Sequence, residues 1–161
     1  MSAHIAAIPY LDRPTDTNSS SIAPPGALRI HKHPTLGMQV YRPVRNTSGG
    51  LIEIARVAQL AIGSTYEVAK SGIAAPNATI AGVTVAEIAD DDYGWVLCSG
   101  VAPVQSTAST VVAGALVSTL ATDGMIADTA VAGIEHCQFG RALNGVGGGG
   151  GIVNVLVSGL L

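Results

Sequence analysis

From about Val40 onward the chain sets short apolar runs between Gly, Asn, Asp and Pro. That is the texture of short strands joined by tight turns, not of helices with a 3.6-residue period. "QVYRPVRNTSGG" predicts a strand that closes in a polar turn, and Pro43, which lacks an N–H, confines it to a sheet edge or to a strand start. In "LIEIARVAQL" two periods compete: Ile52, Glu53 and Ile54 alternate as in a strand, whereas Leu51, Ile54, Ala55 and Ala58 also fit one helical face. The strand reading is adopted. "AGVTVAEIADDDYGWVLCSG" is the clearest hairpin, with β-branched Val83, Thr84 and Val85, an acidic turn at Asp90 to Asp92, and a return from Tyr93 to Ser99. "STVVAGALVSTLATDGMIAD" supplies strand pieces around Gly114 and a hairpin turn at Asp123-Gly124. A last hairpin joins "IEHCQFGRAL" to "IVNVLV". The pattern predicts a mainly β domain over residues 40–161, a small β-barrel or β-sandwich of short antiparallel strands. No internal repeat stands out.

Residues 1–39 read differently. They hold no sustained period of either kind, and Pro-Pro-Gly and "TNSSS" interrupt every candidate element. This predicts an extended N-terminal arm whose spaced apolar groups, Ile5, Ile8, Tyr10, Ile22, Leu28 and Ile30, order against a neighbouring surface. Tyr41 and Trp95 are two further interface candidates; Trp95, alternating with Tyr93 and Leu97, anchors either the core or a subunit contact.

Composition narrows the function classes. With 48% hydrophobic and 12% charged residues the chain buries a real core. Six aromatic residues and eight basic against eleven acidic side chains are a poor basis for nucleic-acid binding. The run "IVNVLVSGLL" is half the length of a membrane-spanning helix, and "MSAHIAAIPYLDRP" lacks the cationic start of a targeting segment. A soluble protein made in the cytoplasm, without a membrane partner, is expected. Charge is polarised: residues 1–70 carry a net of +3 and residues 71–161 a net of −6, which favours head-to-tail contact between copies, weakened by screening over about 8 Å.

The candidate chemistry is thin. Gly145, Gly147 and Gly150 formally match a dinucleotide fingerprint, but only ten β-branched-rich residues follow Gly151, so no helix N-terminus can face a phosphate. Adjacent strand residues point to opposite faces, which separates His136 from Cys137 as a catalytic pair. Asp90, Asp91 and Asp92 lack the alternating spacing of a calcium loop, and His31 and His33 lack a third ligand. Cys98 and Cys137 are expected as buried thiols. No enzyme activity, cofactor or metal is expected. A carbohydrate-binding or hydrolytic β domain is the rival from another class, and the lone Trp95 and lone Phe139 give it poor sugar platforms.

Three stretches carry a resemblance. "YRPVRNTSGGLIEIARV", "AGVTVAEIADDDYGWVLCSGVAPV" and "FGRALNGVGGGGGIVNVLV" resemble, in texture and order, blocks of small tailed-bacteriophage virion proteins that include head decoration, or cement, proteins. The resemblance spans residues 41–157 and leaves the arm outside it. It implies a homo-oligomer, a trimer or else a dimer, that sits on the outside of the capsid, binds the major capsid protein and stabilises the shell. The alternative it leaves open is another structural component: a head fibre base, a minor capsid protein or a tail protein.

Overall fold

The computed structural model describes residues 14–24, 26–70, 79–107, 110–119, 124–128 and 138–158. Every regular element among them is a strand: β1 (Arg29–His33), β2 (Gly37–Asn46), β3 (Val57–Leu60), β4 (Glu67–Lys70), β5 (Ile80–Thr84), β6 (Tyr93–Ser106), β7 (Leu116–Thr119), β8 (Ile126–Asp128), β9 (Gln138–Ala142) and β10 (Gly151–Val157). The expected mainly β class is what is observed, and the predicted hairpins β5–β6 and β9–β10 both pair antiparallel. "LIEIARVAQL" is strand only in its second half, because Ile52 makes an isolated bridge to Ile88 and the chain then turns through Ala55, at φ 62°.

The strands close into two rings that share β6. In the first, β2, β4, β3, β5 and β6 are neighbours in that order, and β6 returns to β2; in the second, β6, β10, β9, β7 and β8 are neighbours, and β8 returns to β6. Strand β1 adds to β2 from outside, within the stretch expected as arm. Its turn forms because Nδ1 of His33 accepts the N–H groups of Thr35 and Leu36, both at 3.2 Å. Pro43 sits mid-strand opposite Trp95. It is tolerated there because the other edge of β2 is vacant between Tyr41, the last residue paired with β1, and Arg45, the first paired with β4.

The rings repeat one another in register, a duplication the sequence reading missed. Pro43 opposite Trp95 corresponds to Pro103 opposite Asn154. The bridge Ile52 to Ile88 corresponds to Val111 to Val146. The ladder Val57–Val83, Ala58–Gly82, Gln59–Ile80 corresponds to Leu116–Arg141, Val117–Gly140, Ser118–Gln138, with the bulge at the same step. Ala58–Lys70, Gln59–Ala69 and Leu60–Val68 correspond to Val117–Asp128, Ser118–Ala127 and Thr119–Ile126. The parallel closure is matched bond for bond, since Thr47 N donates to Val68 O and Thr107 N to Ile126 O, both at 3.0 Å. Left-handed residues coincide as well: Ala55 (φ 62°) with Gly114 (85°), and Asp91 (64°) with Gly150 (72°). At Gly82 and Gly140 an added Cβ would lie 2.6 Å from the carbonyl oxygens of Leu97 and Leu156, so both copies need glycine where adjacent strands approach.

Each ring has its own interior. Val44, Ile52, Ala58, Val68, Ala81 and Val96 fill the first, and their counterparts Val104, Val111, Val117, Ile126, Phe139 and Val155 fill the second. Phe139 replaces Ala81, so the two cores are filled by different side chains on one backbone plan.

The glycine run forms a loop over Gly147 to Gly150 and enters β10 at Gly151; within it Gly149 N and Gly150 N turn back on Gly147 O at 2.8 and 3.3 Å. It is not uniformly slack. Gly149 has open space around it, whereas Gly150 combines φ 72° with an approach of 2.7 Å to Thr107 O. Deleting Gly148 and Gly149 is expected to leave the melting temperature within a few degrees of wild type, because loop length alters closure entropy only slowly. Gly150→Val is expected to cost about 2 kcal/mol or more in urea unfolding, through backbone strain and a clash.

Candidate interaction surface

Strand alternation gives each ring an outward face, and the two copies treat it differently. In the first ring, Tyr41, Val57, Val83, Trp95 and Leu97 point away from the interior cluster, yet none is more than 4% exposed. They are buried in one cluster with Ile22 and Ala23 of the N-terminal segment and with the second ring's interior. The segment is fixed by main-chain bonds: Asn18 N donates to Tyr93 O at 3.0 Å and Tyr93 N to Asn18 O at 2.8 Å. Ala27 N then closes a turn on Pro24 O at 3.0 Å. Ser21 and Ala23 line a shallow recess with Pro43, Val44, Tyr66 and Tyr93, and the Arg29 guanidinium lies 5.9 Å from the Trp95 ring centre. The rings are tied by Val57 N to Gly124 O at 2.8 Å and Gln105 N to Ala55 O at 2.9 Å.

On the corresponding face of the second ring, large apolar residues stand about half in water. Val57, Leu97, Tyr93 and Val85 correspond to Leu116, Leu156, Ile152 and Leu143, and these four are 40%, 43%, 48% and 50% exposed. Register makes them one patch: Leu116 lies opposite Arg141 and Arg141 opposite Leu156, while Leu143 N donates to Asn154 O between Ile152 and Leu156. Arg141 is the cation in the patch, its Nη1 donating to Gly114 O at 2.6 Å. The sequence carried a signal for this face. In "IVNVLV" apolar residues occupy both faces of one strand, the pattern of a strand covered on both sides rather than half-solvated.

The expected interface residues divide. Leu28 and Ile30 are exposed, at 52% and 65%. Ile22, Tyr41 and Trp95 are buried within this chain, while Ile5, Ile8 and Tyr10 lie outside the described residues. The Tyr41 hydroxyl donates to Oε1 of Gln39 at 2.8 Å, Gln39 Nε2 donates to Val101 O at 2.8 Å, and burial raises the phenol's pKa. The acidic turn is a clasp: Asp90 Oδ1 accepts Gly49 N at 2.9 Å and Asp91 pairs with Arg45 at 3.1 Å. Cys98 is a buried free thiol that donates to Val40 O at 3.2 Å, its pKa raised by burial. His136 and Cys137 lie outside the described residues. Glu53, whose Oε1 accepts a hydrogen bond from Lys70 Nζ at 3.2 Å and which is flanked by Arg56, is held below the usual carboxylate range, chiefly by that hydrogen bond. Its contribution to stability is therefore present above the ordinary glutamate pKa and fades as pH falls through the depressed one. Among the described residues no group of three or more His, Cys, Asp or Glu is placed to hold a metal ion, and no helix is long and apolar enough to cross a membrane.

No protein family matches the chain by sequence, and no curated protein does. Its fold is similar to a solved structure, the N base of the head fiber gp8.5 of bacteriophage phi29. The TM-score is 0.52 at 22% sequence identity, over 75% of this chain and 95% of that one. The likeness extends across nearly the whole of that base and is one of fold.

Proposed function

We propose that this chain is a structural protein of a tailed-phage head, a base that attaches to the outside of the shell as a homo-oligomer and makes or breaks no covalent bond. The observation that carries the reading is the fold likeness to the N base of a phage head fiber, which spans 95% of that base. The surface supports it. An apolar patch around Leu143, Ile152 and Leu156 suits contact with protein, and the two rings, tied by main-chain bonds, offer a stiff body for attachment. The partners proposed are the major capsid protein and further copies of this chain, a trimer in preference to a dimer, with the N-terminal segment contacting neighbouring subunits. On a lattice, many weak contacts act together because each bound copy raises the local concentration of the next. A second role, stabilisation of the shell itself as a cement protein, follows if those contacts bridge adjacent capsomers.

The test is to mix the purified chain with shells that lack it. Saturable, stoichiometric binding is expected, with extra density on the outer surface of reconstructed particles. A rise in the temperature at which shells rupture would support the cement role. Absence of binding under assembly conditions would overturn the attachment reading.

A further inference from the structure

Two apolar faces of the molecule stand exposed, and they belong to different rings. One is the outward face of the second ring, where Leu116, Leu143, Ile152 and Leu156 are 40% to 50% exposed. The other is the outer side of the β1–β2 ribbon. Its register sets Ile30 opposite Val40 and Lys32 opposite Met38 on one side, and Arg29 opposite Tyr41 and His31 opposite Gln39 on the other. The latter side faces the core, since Tyr41 and Gln39 are buried. A ribbon with its far side in water ordinarily carries polar groups there, yet Ile30 is 65% and Met38 58% exposed. Leu28, at 52%, continues that side into a recess of about 320 Å³, which it lines with Arg42, Pro43, Leu60 and Thr65. Ile62, wholly exposed, stands in the turn that follows Leu60. We infer that the two faces are the halves of one contact between copies of this chain: the β1–β2 face of one copy packs on the outward second-ring face of the next.

Three observations name a second copy as the occupant. The first is size: each face presents apolar surface on the order of a few hundred Å², against roughly 450 Å² of apolar area per partner in a standard interface of about 800 Å². The second is shape. One face is recessed, and its recess exceeds the roughly 150 Å³ that holds a benzene ring in an apolar cavity, so it has room for a Leu or Ile side chain from the other face. The third is symmetry. A two-fold contact through either face buries that face and leaves the other in water, whereas a head-to-tail contact that closes as a cycle buries both on every copy. The few charges ask for no acidic partner: Arg141 donates to Gly114 O at 2.6 Å, and the Arg42 guanidinium hydrogen-bonds the Cys98 sulfur. With Lys32 in one face and Arg141 in the other, the faces repel weakly, so added salt tightens the contact instead of loosening it.

This inference rests on the reading of the chain as a homo-oligomer, and the experiment separates the two. Full-length chains are measured at matched, high concentration by light scattering after size exclusion: wild type, Ile30→Ser/Met38→Ser, Ile152→Ser/Leu156→Ser, and an equimolar mixture of the two variants. Wild type is expected as an oligomer larger than a dimer, and each variant alone as a monomer of about 16.1 kDa. The mixture is expected as a heterodimer of twice that mass, because one intact pair of faces remains between unlike chains. All four substituted side chains are exposed, so melting temperatures should stay within a few degrees of wild type. Ile30→Asp and Leu143→Asp take the same two roles if a double variant unfolds. A variant that stays oligomeric, a mixture that stays monomeric or a wild type that stops at a dimer would overturn the inference and leave the homo-oligomer standing. Dissociation of wild type by about 1 M salt would do the same. A wild type that is monomeric at every concentration would overturn both.

Discussion

Trp95→Ala is expected to lower the free energy of unfolding by about 4 kcal/mol, the range for removing a large buried aromatic, and the melting temperature by roughly 10 °C. Trp95 is 1% exposed and shares a cluster with Ile22, Ala23, Tyr41 and Leu97, so its loss opens a cavity between the first ring and the segment that covers it. The effect should be local in origin. Hydrogen exchange is expected to show the amide of Asn18, bonded to Tyr93, losing protection before those of the interior strands. Trp95→Phe is expected to cost far less, because the buried indole Nε1 has no acceptor among the described residues and its removal strands nothing. Asn154, the counterpart in the second ring, is exposed, and Asn154→Ala should change stability by less than about 0.5 kcal/mol. Equal losses at the two positions would show that the first ring's cover contributes nothing.

The second large effect is expected at Asn46. Its Nδ2 donates to Gly50 O at 2.7 Å, Ile88 O at 2.8 Å and Ala89 O at 3.1 Å, while Oδ1 accepts Ser48 N at 2.9 Å and Ser48 Oγ at 2.7 Å. The side chain is fully buried and pins the end of β2 to the loop that precedes β6. Asn46→Ala leaves these groups short of partners at once, and a loss of about 3 kcal/mol in urea unfolding is expected. Its counterpart Ser106 does the same work with fewer bonds, exchanging Oγ contacts of 3.0 Å with Gly151 N and O. Ser106→Ala should therefore cost about 1 kcal/mol. A reversed order would refute the assignment of Asn46 as the stronger pin.

The strands were legible where local chemistry decides them. β5–β6 and β9–β10 follow from apolar runs around obvious turns, whereas Pro43 misled: the strand it was expected to confine to an edge or a start has neighbours on both sides, with Pro43 in mid-strand at a gap between β1 and β4. What one pass along the chain did not reveal was long-range. "PVRNT" and "PVQST" share three of five residues, and "VLCSG" and "VLVSG" four of five. The spacing slips between them, because Pro43 to Pro103 is 60 residues, Ile52 to Val111 is 59 and Val68 to Ile126 is 58. Core positions also exchanged size, as Ala81 against Phe139 shows, so shape was kept while identity was not. The beginning of the hairpin β1–β2 hid behind Pro34, since the turn rests on a histidine ring nitrogen rather than on a recognised turn pair. For the surface, the reading looked to the arm and to aromatic residues. The exposed apolar patch was signalled instead by the last strand, which carries apolar residues on both faces and leaves Ile152 and Leu156 half exposed.

One strand, β6, belongs to both rings, and this has a mechanical consequence. A tensile load entering through one ring passes to the other along a continuous covalent backbone, with no linker to stretch and no hinge to swing. The ladders from β6 to β2 and to β10 run antiparallel on either half of it, so such a load shears many hydrogen bonds together instead of unzipping them singly. Unfolding under force would then be governed by the slow rate at which the chain unfolds rather than by its equilibrium stability.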